Sequence, residues 1–194
     1  MRKTAELDID GPPVDDAQLA LRARVDPEAF AELYRRHVNR VYRYHMVHTG
    51  SARDAEDLTS QTFTAALESI HGYRGAGSVA AWLMGIALNK RRMFFRSRGR
   101  SEFPLEEALD VPDPGPATEQ AALDRIRLQQ VRAGLAALNA DRREAIALYF
   151  FAGLAVAEGA RVLGKSEAAF KMLLSRGLQD LRTRTSAALE VQDE

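Results

Sequence analysis

Between positions 54 and 100 the order of apolar and polar residues changes character twice. Ala55, Leu58, Thr59, Thr62, Phe63, Ala66, Leu67 and Ile70 recur at spacings of three and four, which places them on one face of a helix. Asp54, Glu56 and Asp57 crowd its start, where carboxylates complement the exposed amides and the positive end of the helix dipole. Beyond a loop carrying Gly72, Gly75 and Gly77, a second helix is predicted from about Ser78. It turns Trp82, Leu83, Ile86 and Ala87 toward a core and then runs through Asn89, Lys90, Arg91, Arg92, Phe94, Phe95, Arg96, Arg98 and Arg100. It begins apolar and ends as a cationic rod. Upstream, Pro27 suits a first helical position, and Phe30, Leu33, Tyr34, Val38, Val41 and Tyr42 form an apolar stripe ending near Gly50. That helix is expected to pack on the 55–70 helix.

The pattern breaks after Arg100. Four prolines and five acidic residues between Ser101 and Pro116 preclude a long helix or a core, so the stretch reads as an extended linker. From Ala117 a helix resumes through Ala121, Leu123, Ile126, Val131, Leu135 and Leu138. Asn139 or Asp141 can cap the next one, Asp141 and Glu144 have capping-box spacing, and Ala145, Leu148 and Tyr149 continue the core. Further on, Ala157, Ala160 and Val162 can pack inward, Gly164 can take a left-handed position, and Ser166 can cap a final helix. Two helices joined by so short a turn fit a helix-turn-helix, although a plain αα-hairpin has the same local pattern. At the other end, residues 1–26 are rich in acids and broken by Gly11-Pro12-Pro13, so a flexible tail leading into the first helix is expected.

The fold class predicted is therefore all-α: two small helical domains, at 27–100 and 117–185, joined by an acidic, proline-rich linker at 101–116, with a C-terminal tail at 186–194. A chain of 194 residues, 46% of them hydrophobic, has material for two such cores. The 27 basic and 27 acidic residues balance, yet 90–100 holds no acid and 102–124 no base, so the charge is dipolar along the chain. Cysteine is absent, which excludes disulfides and thiolate metal sites. No apolar run approaches the roughly 20 residues that span a bilayer, so a cytoplasmic protein without membrane insertion is expected. His37, His45 and His48 lie near one helix, but no further strong ligand converges on them in the sequence. They are expected to be surface or partly buried side chains, with no metal or cofactor. No nucleophile and base pair and no phosphate-cradling glycine motif is present, so catalysis is not expected.

A cationic helix carrying aromatic rings can neutralise phosphates and stack on unpaired bases, which makes nucleic acid the leading partner. A solvated basic helix end near the negative pole of the dipole would have the same composition. In the loop, Tyr73 offers a ring and Arg74 a cation, while an ordinary interhelical connection would equally explain the glycines. Trp82 reads as core. Asn89, placed where the apolar face gives way to charge, has an amide able to read a base edge.

Two ordered stretches, Asp54-Ala55-Glu56-Asp57-Leu58-Thr59-Ser60-Gln61-Thr62-Phe63 and Ala81-Trp82-Leu83-Met84-Gly85-Ile86-Ala87-Leu88-Asn89, resemble the promoter-melting domain of extracytoplasmic-function sigma factors. Leu138 to Leu181, with its Leu163-Gly164-Lys165-Ser166 turn, resembles the promoter-binding domain of the same family. The resemblance implies binding to core RNA polymerase through Asp54, Glu56, Asp57 and Gln61. It implies contact with the melted minus-ten strand through Tyr73, Arg74, Asn89, Lys90, Arg92, Phe94 and Arg96. Promoter DNA at the minus-thirty-five element would be met by Lys165, Ser166, Glu167, Lys171, Ser175 and Arg176. It also implies that the acidic linker threads the nucleic-acid channel of the polymerase, and an anti-sigma factor is a further candidate partner. Three departures stand out: Gln61 where an acid is common, Gly159 within the first helix of the turn motif, and apolar Met172, Leu173 and Leu178 near the DNA-facing positions. Two other functions share these features: a helix-turn-helix regulator acting without polymerase, and a degenerate sigma-like protein that only sequesters partners.

Overall fold

The computed structural model describes residues 15–75, 77–99, 131 and 133–190, and among these the regular structure is entirely helical. The expected linker at 101–116, the helix expected from Ala117 as far as residue 130, and both chain ends lie outside the described residues. The first four helices are α1 (Asp16–Arg22), α2 (Pro27–Thr49), α3 (Ala52–Ser69) and α4 (Val79–Arg98). After the gap come α5 (Ala140–Ile146), continued by a π-helical turn (Ala147–Phe151), then α6 (Val156–Leu163) and α7 (Glu167–Glu190).

Each boundary has a local cause. Asp26 accepts from the Glu28 amide at 3.0 Å with Pro27 in the first turn, and the left-handed Gly50 (φ 67°) ends α2 so that α3 can fold back on it. Ser51 and Ser78 cap α3 and α4 by accepting from Asp54 and Ala81. The predicted 55–70 face is largely present: Ala55, Leu58, Thr59, Thr62, Phe63, Ala66 and Ile70 are buried, but Leu67 is 51% exposed.

The inward face of α2 is rotated from the predicted stripe. Leu33 and Val41 are buried with Ala29, His37, Tyr44, His45 and His48, whereas Tyr34 is 43% exposed and Phe30, Val38 and Tyr42 are half-buried. Those four instead flank Phe63, whose ring meets Tyr34 edge-on at 4.7 Å, and they line an open apolar groove with Leu67. The histidines account for the difference. A hydropathy pattern scores them as polar, yet all three are buried here and none is a surface residue. Nor is residue 16 onward a mere lead-in: α1 packs on α2 and α4, and Asp16 binds Arg36 at 2.9 Å and His37 at 2.7 Å.

In the second half, Asn139 caps α5 through the Asp141 amide at 2.9 Å. Glu144 does not complete a capping box; it points into the interior. Arg143, also buried, donates to the carbonyls of Leu135, Ala136 and Leu138, the open end of the preceding helical turn. The π turn adds one residue to the helical repeat, which carries Tyr149 and Phe150 out to 38% and 54% exposure while Leu148 stays buried. This shift of phase explains why Tyr149 is not the core residue expected.

The turn motif forms as predicted. Gly164 (φ 63°) donates to Arg161 and the next amide, of Lys165, donates to Ala160, the paired bonds of a Schellman motif. Ser166 then accepts from Ala169 at 3.2 Å to start α7. Ala160 is buried, but Ala157 faces solvent. Gly159 is there for proximity: a Cβ at that position would lie 2.3 Å from Cζ of the fully buried Phe170.

Candidate nucleic-acid interface

Glu56, Asp57 and Gln61 project from the solvent face of α3. The helix phase that buries Leu58 and Phe63 necessarily turns these positions outward. Asp54 differs from them. Its carboxylate is only 14% exposed and is held by Arg98 at 3.1 Å, and that guanidinium also lies 4.1 Å over the Phe94 ring. Asp54 thus ties the start of α3 to the end of α4.

On α4, Asn89, Arg92 and Arg96 are exposed at spacings of three and four and form one stripe. Lys90 and Phe94 are half-buried at its sides. Arg91 and Phe95, which the sequence counts within the cationic rod, turn inward to 3% and 5% exposure. The stripe borders a cleft of about 480 Å³, whose near wall includes Ser78, Trp82, Asn89 and Arg92 and whose far wall is Arg161 and Val162 of α6. Trp82 is therefore half core and half wall.

Tyr73 is not available for stacking on a base in this conformation. It is 3% exposed, its hydroxyl donates to the Gly77 carbonyl at 2.9 Å, and its ring lies 5.4 Å from that of Trp82. Burial pushes its phenol pKa up. Arg24 donates to its carbonyl, so this tyrosine sets the shape of the loop while Arg74 beside it stays exposed.

The outward face of α7 carries Glu167, Lys171 and Ser175 at intervals of four, all exposed, with Arg176 alongside. Lys165 is paired with Asp141 at 2.9 Å, and the Ser166 hydroxyl is engaged as the helix cap. Met172 is 47% exposed on this surface, while Leu173 and Leu178 are half-buried and serve packing.

One constellation is absent from the sequence reading. Glu144 of α5, 5% exposed, accepts from the Tyr44 hydroxyl at 2.6 Å and from Arg91 at 2.7 Å. Arg91 also donates to Nδ1 of His48 at 3.2 Å, which leaves the imidazole proton on Nε2, 3.5 Å from the Glu144 carboxylate. Burial and the neighbouring guanidinium hold the His48 pKa well below its ordinary value, so the ring is neutral. Burial likewise drives the Tyr44 phenol well up, keeping it a donor. Only a tertiary structure brings these residues together, since Tyr44 and Glu144 are 100 positions apart. No group of residues among those described could hold a metal ion, and no described helix is long and apolar enough to cross a membrane.

Residues 33–101 match the family described as Sigma-70 region 2, and residues 128–181 match Sigma-70, region 4. The chain is 36% identical to the ECF RNA polymerase sigma factor BldN of Streptomyces coelicolor over 84% of its own length and 63% of that protein's. It thus spans under two thirds of BldN. It is 30% identical to the ECF RNA polymerase sigma factor SigM of Bacillus subtilis, covering 78% of this chain and 91% of that one. The RNA polymerase sigma factor CnrH of Cupriavidus metallidurans is 32% identical over 73% of this chain and 76% of CnrH. In the structure of CnrH in complex with the cytosolic domain of CnrY, the fold matches with a TM-score of 0.62 at 25% identity, over 91% of this chain and 97% of that one.

Proposed function

This chain belongs to the extracytoplasmic-function RNA polymerase sigma factors, and we propose that it binds core RNA polymerase and directs promoter-specific initiation in the cytoplasm. It acts by recognition and not by catalysis. Residues 27–100 form the polymerase-binding and strand-trapping domain, 117–185 the duplex-binding domain, and 101–116 the tether between them. An anti-sigma protein is the natural regulator on this reading; CnrH, whose fold this chain shares, is solved in complex with a protein partner, the cytosolic domain of CnrY.

The polymerase contact falls to Glu56, Asp57 and Gln61, the exposed members of the α3 face. Asp54 contributes by fixing α3 against α4 through Arg98. Duplex DNA at the minus-thirty-five element meets the outward stripe of α7, where Lys171 and Arg176 supply phosphate contacts and Ser175 a short polar side chain. The observation that carries the reading is the Asn89, Arg92 and Arg96 stripe within the region 2 match, which pairs a base-reading amide with two cations along one line. A strand laid there has its phosphates neutralised while one base edge meets the Asn89 amide.

Asn89→Ala tests this. Loss of one good amide contact is worth about 1–3 kcal/mol, or roughly 5- to 150-fold in occupancy of the open complex. Core-polymerase affinity should stay unchanged, and discrimination among bases at one position of a pre-melted minus-ten element should relax. An Asn89→Ala protein that opens promoters as wild type would refute the assignment.

A further inference from the structure

The outward surface of α7 carries an apolar side chain that phosphate contacts do not explain. Phe170, Leu174 and Gly177 face inward, and the fit is so close that a Cβ at Gly177 would lie 2.8 Å from Cδ1 of Ile146. At ~100° per residue, Met172 lies about 160° round the helix from both Phe170 and Leu174. Ala168 and Ser175 share that side with it, and all three are exposed. Lys171 and Arg176, exposed as well, flank this crest on opposite sides.

A methionine 47% exposed and opposite the buried face contributes little to the core. A single apolar side chain on a surface is ordinary in itself. Its place is what singles Met172 out, because it stands on the second helix of the turn motif, within the region 4 match. With Lys171 and Arg176 directed to phosphates on either side, the crest between them is the part of α7 that enters a major groove most deeply.

The groove floor then narrows what Met172 can meet. A thioether donates no hydrogen bond and accepts only weakly, so a cytosine or adenine amino group set against it would lose its water without a replacement. The C5-methyl of thymine is the one apolar group that a standard base pair presents there. Three rotatable bonds let methionine settle over that methyl, and the small Ala168 one turn back leaves room for the approach.

We propose that Met172 is a specificity-determining residue for the upstream element: it covers the C5-methyl of one thymine while Lys171 and Arg176 hold the phosphates on either side. The assignment rests on the duplex-binding reading of α7 and adds to it a base preference.

Holoenzyme formed from the full chain and core polymerase is used to select upstream elements from a duplex library randomised over that region. Each thymine of the selected element is then replaced singly by deoxyuridine, which pairs in the same way and lacks the methyl. Burial of one methyl-sized group corresponds to roughly fourfold in affinity, so one such replacement should weaken wild-type binding by about that factor. Met172→Ser should remove the difference between thymine and deoxyuridine at that position, and Met172→Leu should keep it. Met172→Gln, similar in shape and polar at its tip, carries the same test should the serine variant not fold. A selected element in which no thymine is sensitive to the loss of its methyl overturns the proposal, as does a Met172→Ser holoenzyme as sensitive as wild type. A library from which the holoenzyme enriches no upstream element overturns the duplex-binding reading itself, and the methyl contact falls with it.

Discussion

Replacing Gly159 by alanine sets two physical effects against each other. Alanine in a helix interior is favoured over glycine by about 1 kcal/mol, so propensity alone predicts a more stable α6. Packing predicts the reverse. The new Cβ would lie 2.3, 2.7 and 3.0 Å from Cζ, Cε2 and Cε1 of Phe170, where carbon atoms normally rest about 3.5–4.0 Å apart. The ring would have to retreat by about 1 Å, and Phe170 is fully buried between α6, α7 and the core. Overpacking of this kind costs about 1–3 kcal/mol against a propensity gain of about 1 kcal/mol, so the balance is a net loss of up to about 2 kcal/mol. Urea unfolding should therefore show a lower midpoint for Gly159→Ala. In a double-mutant cycle, Phe170→Leu should cost less in the alanine background than in wild type, with a coupling of about 1 kcal/mol or more. A higher midpoint for Gly159→Ala, or an additive cycle, would show that propensity governs this position and that the contact is unimportant.

Two further outcomes follow from the interior polar groups. Arg143→Met should destabilise the chain by about 3 kcal/mol in urea unfolding, because three carbonyls lose a charged donor in a buried site. His45 is held neutral, its pKa lowered to about 3 by burial first and by the charge of Arg91 second, and its Nε2–H donates to Thr62 at 3.0 Å. The unfolded chain takes up that proton near pH 6.5 and the folded chain does not, so stability falls as pH drops below about 6.5, by up to about 1.4 kcal/mol per unit. Between pH 6.5 and 5, His45→Gln should lose about 1.6 kcal/mol less than wild type, since glutamine can still donate to Thr62 without titrating.

Local rules made most of the helices legible. The caps at Ser51, Ser78 and Ser166 and the stops at Gly50 and Gly164 are short-range chemistry, and each appears where that chemistry places it. The faces were harder to read. On α2 the three buried histidines disguise the inward side, and after Ile146 a π turn moves every later side chain by a fraction of a turn. The candidate site was legible as a list of residue types but not as a surface. Asn89, Arg92 and Arg96 share a face because helix spacing requires it, whereas Tyr73 turns inward onto Gly77 and Trp82 within the folded loop and Arg91 onto Glu144, a partner distant in sequence. Glu144 reads locally as half of a capping box, and only the packing of α5 against α2 and α4 makes it the acceptor for Tyr44 and Arg91.

The central claim is most directly tested by mixing the purified chain with core RNA polymerase and a fragmented genomic library and sequencing the RNA starts. Discrete start sites that share two spaced upstream elements, and that vanish when Asp57 and Gln61 are both changed to lysine, are the predicted result. Transcripts no different from those of core enzyme alone would contradict the account.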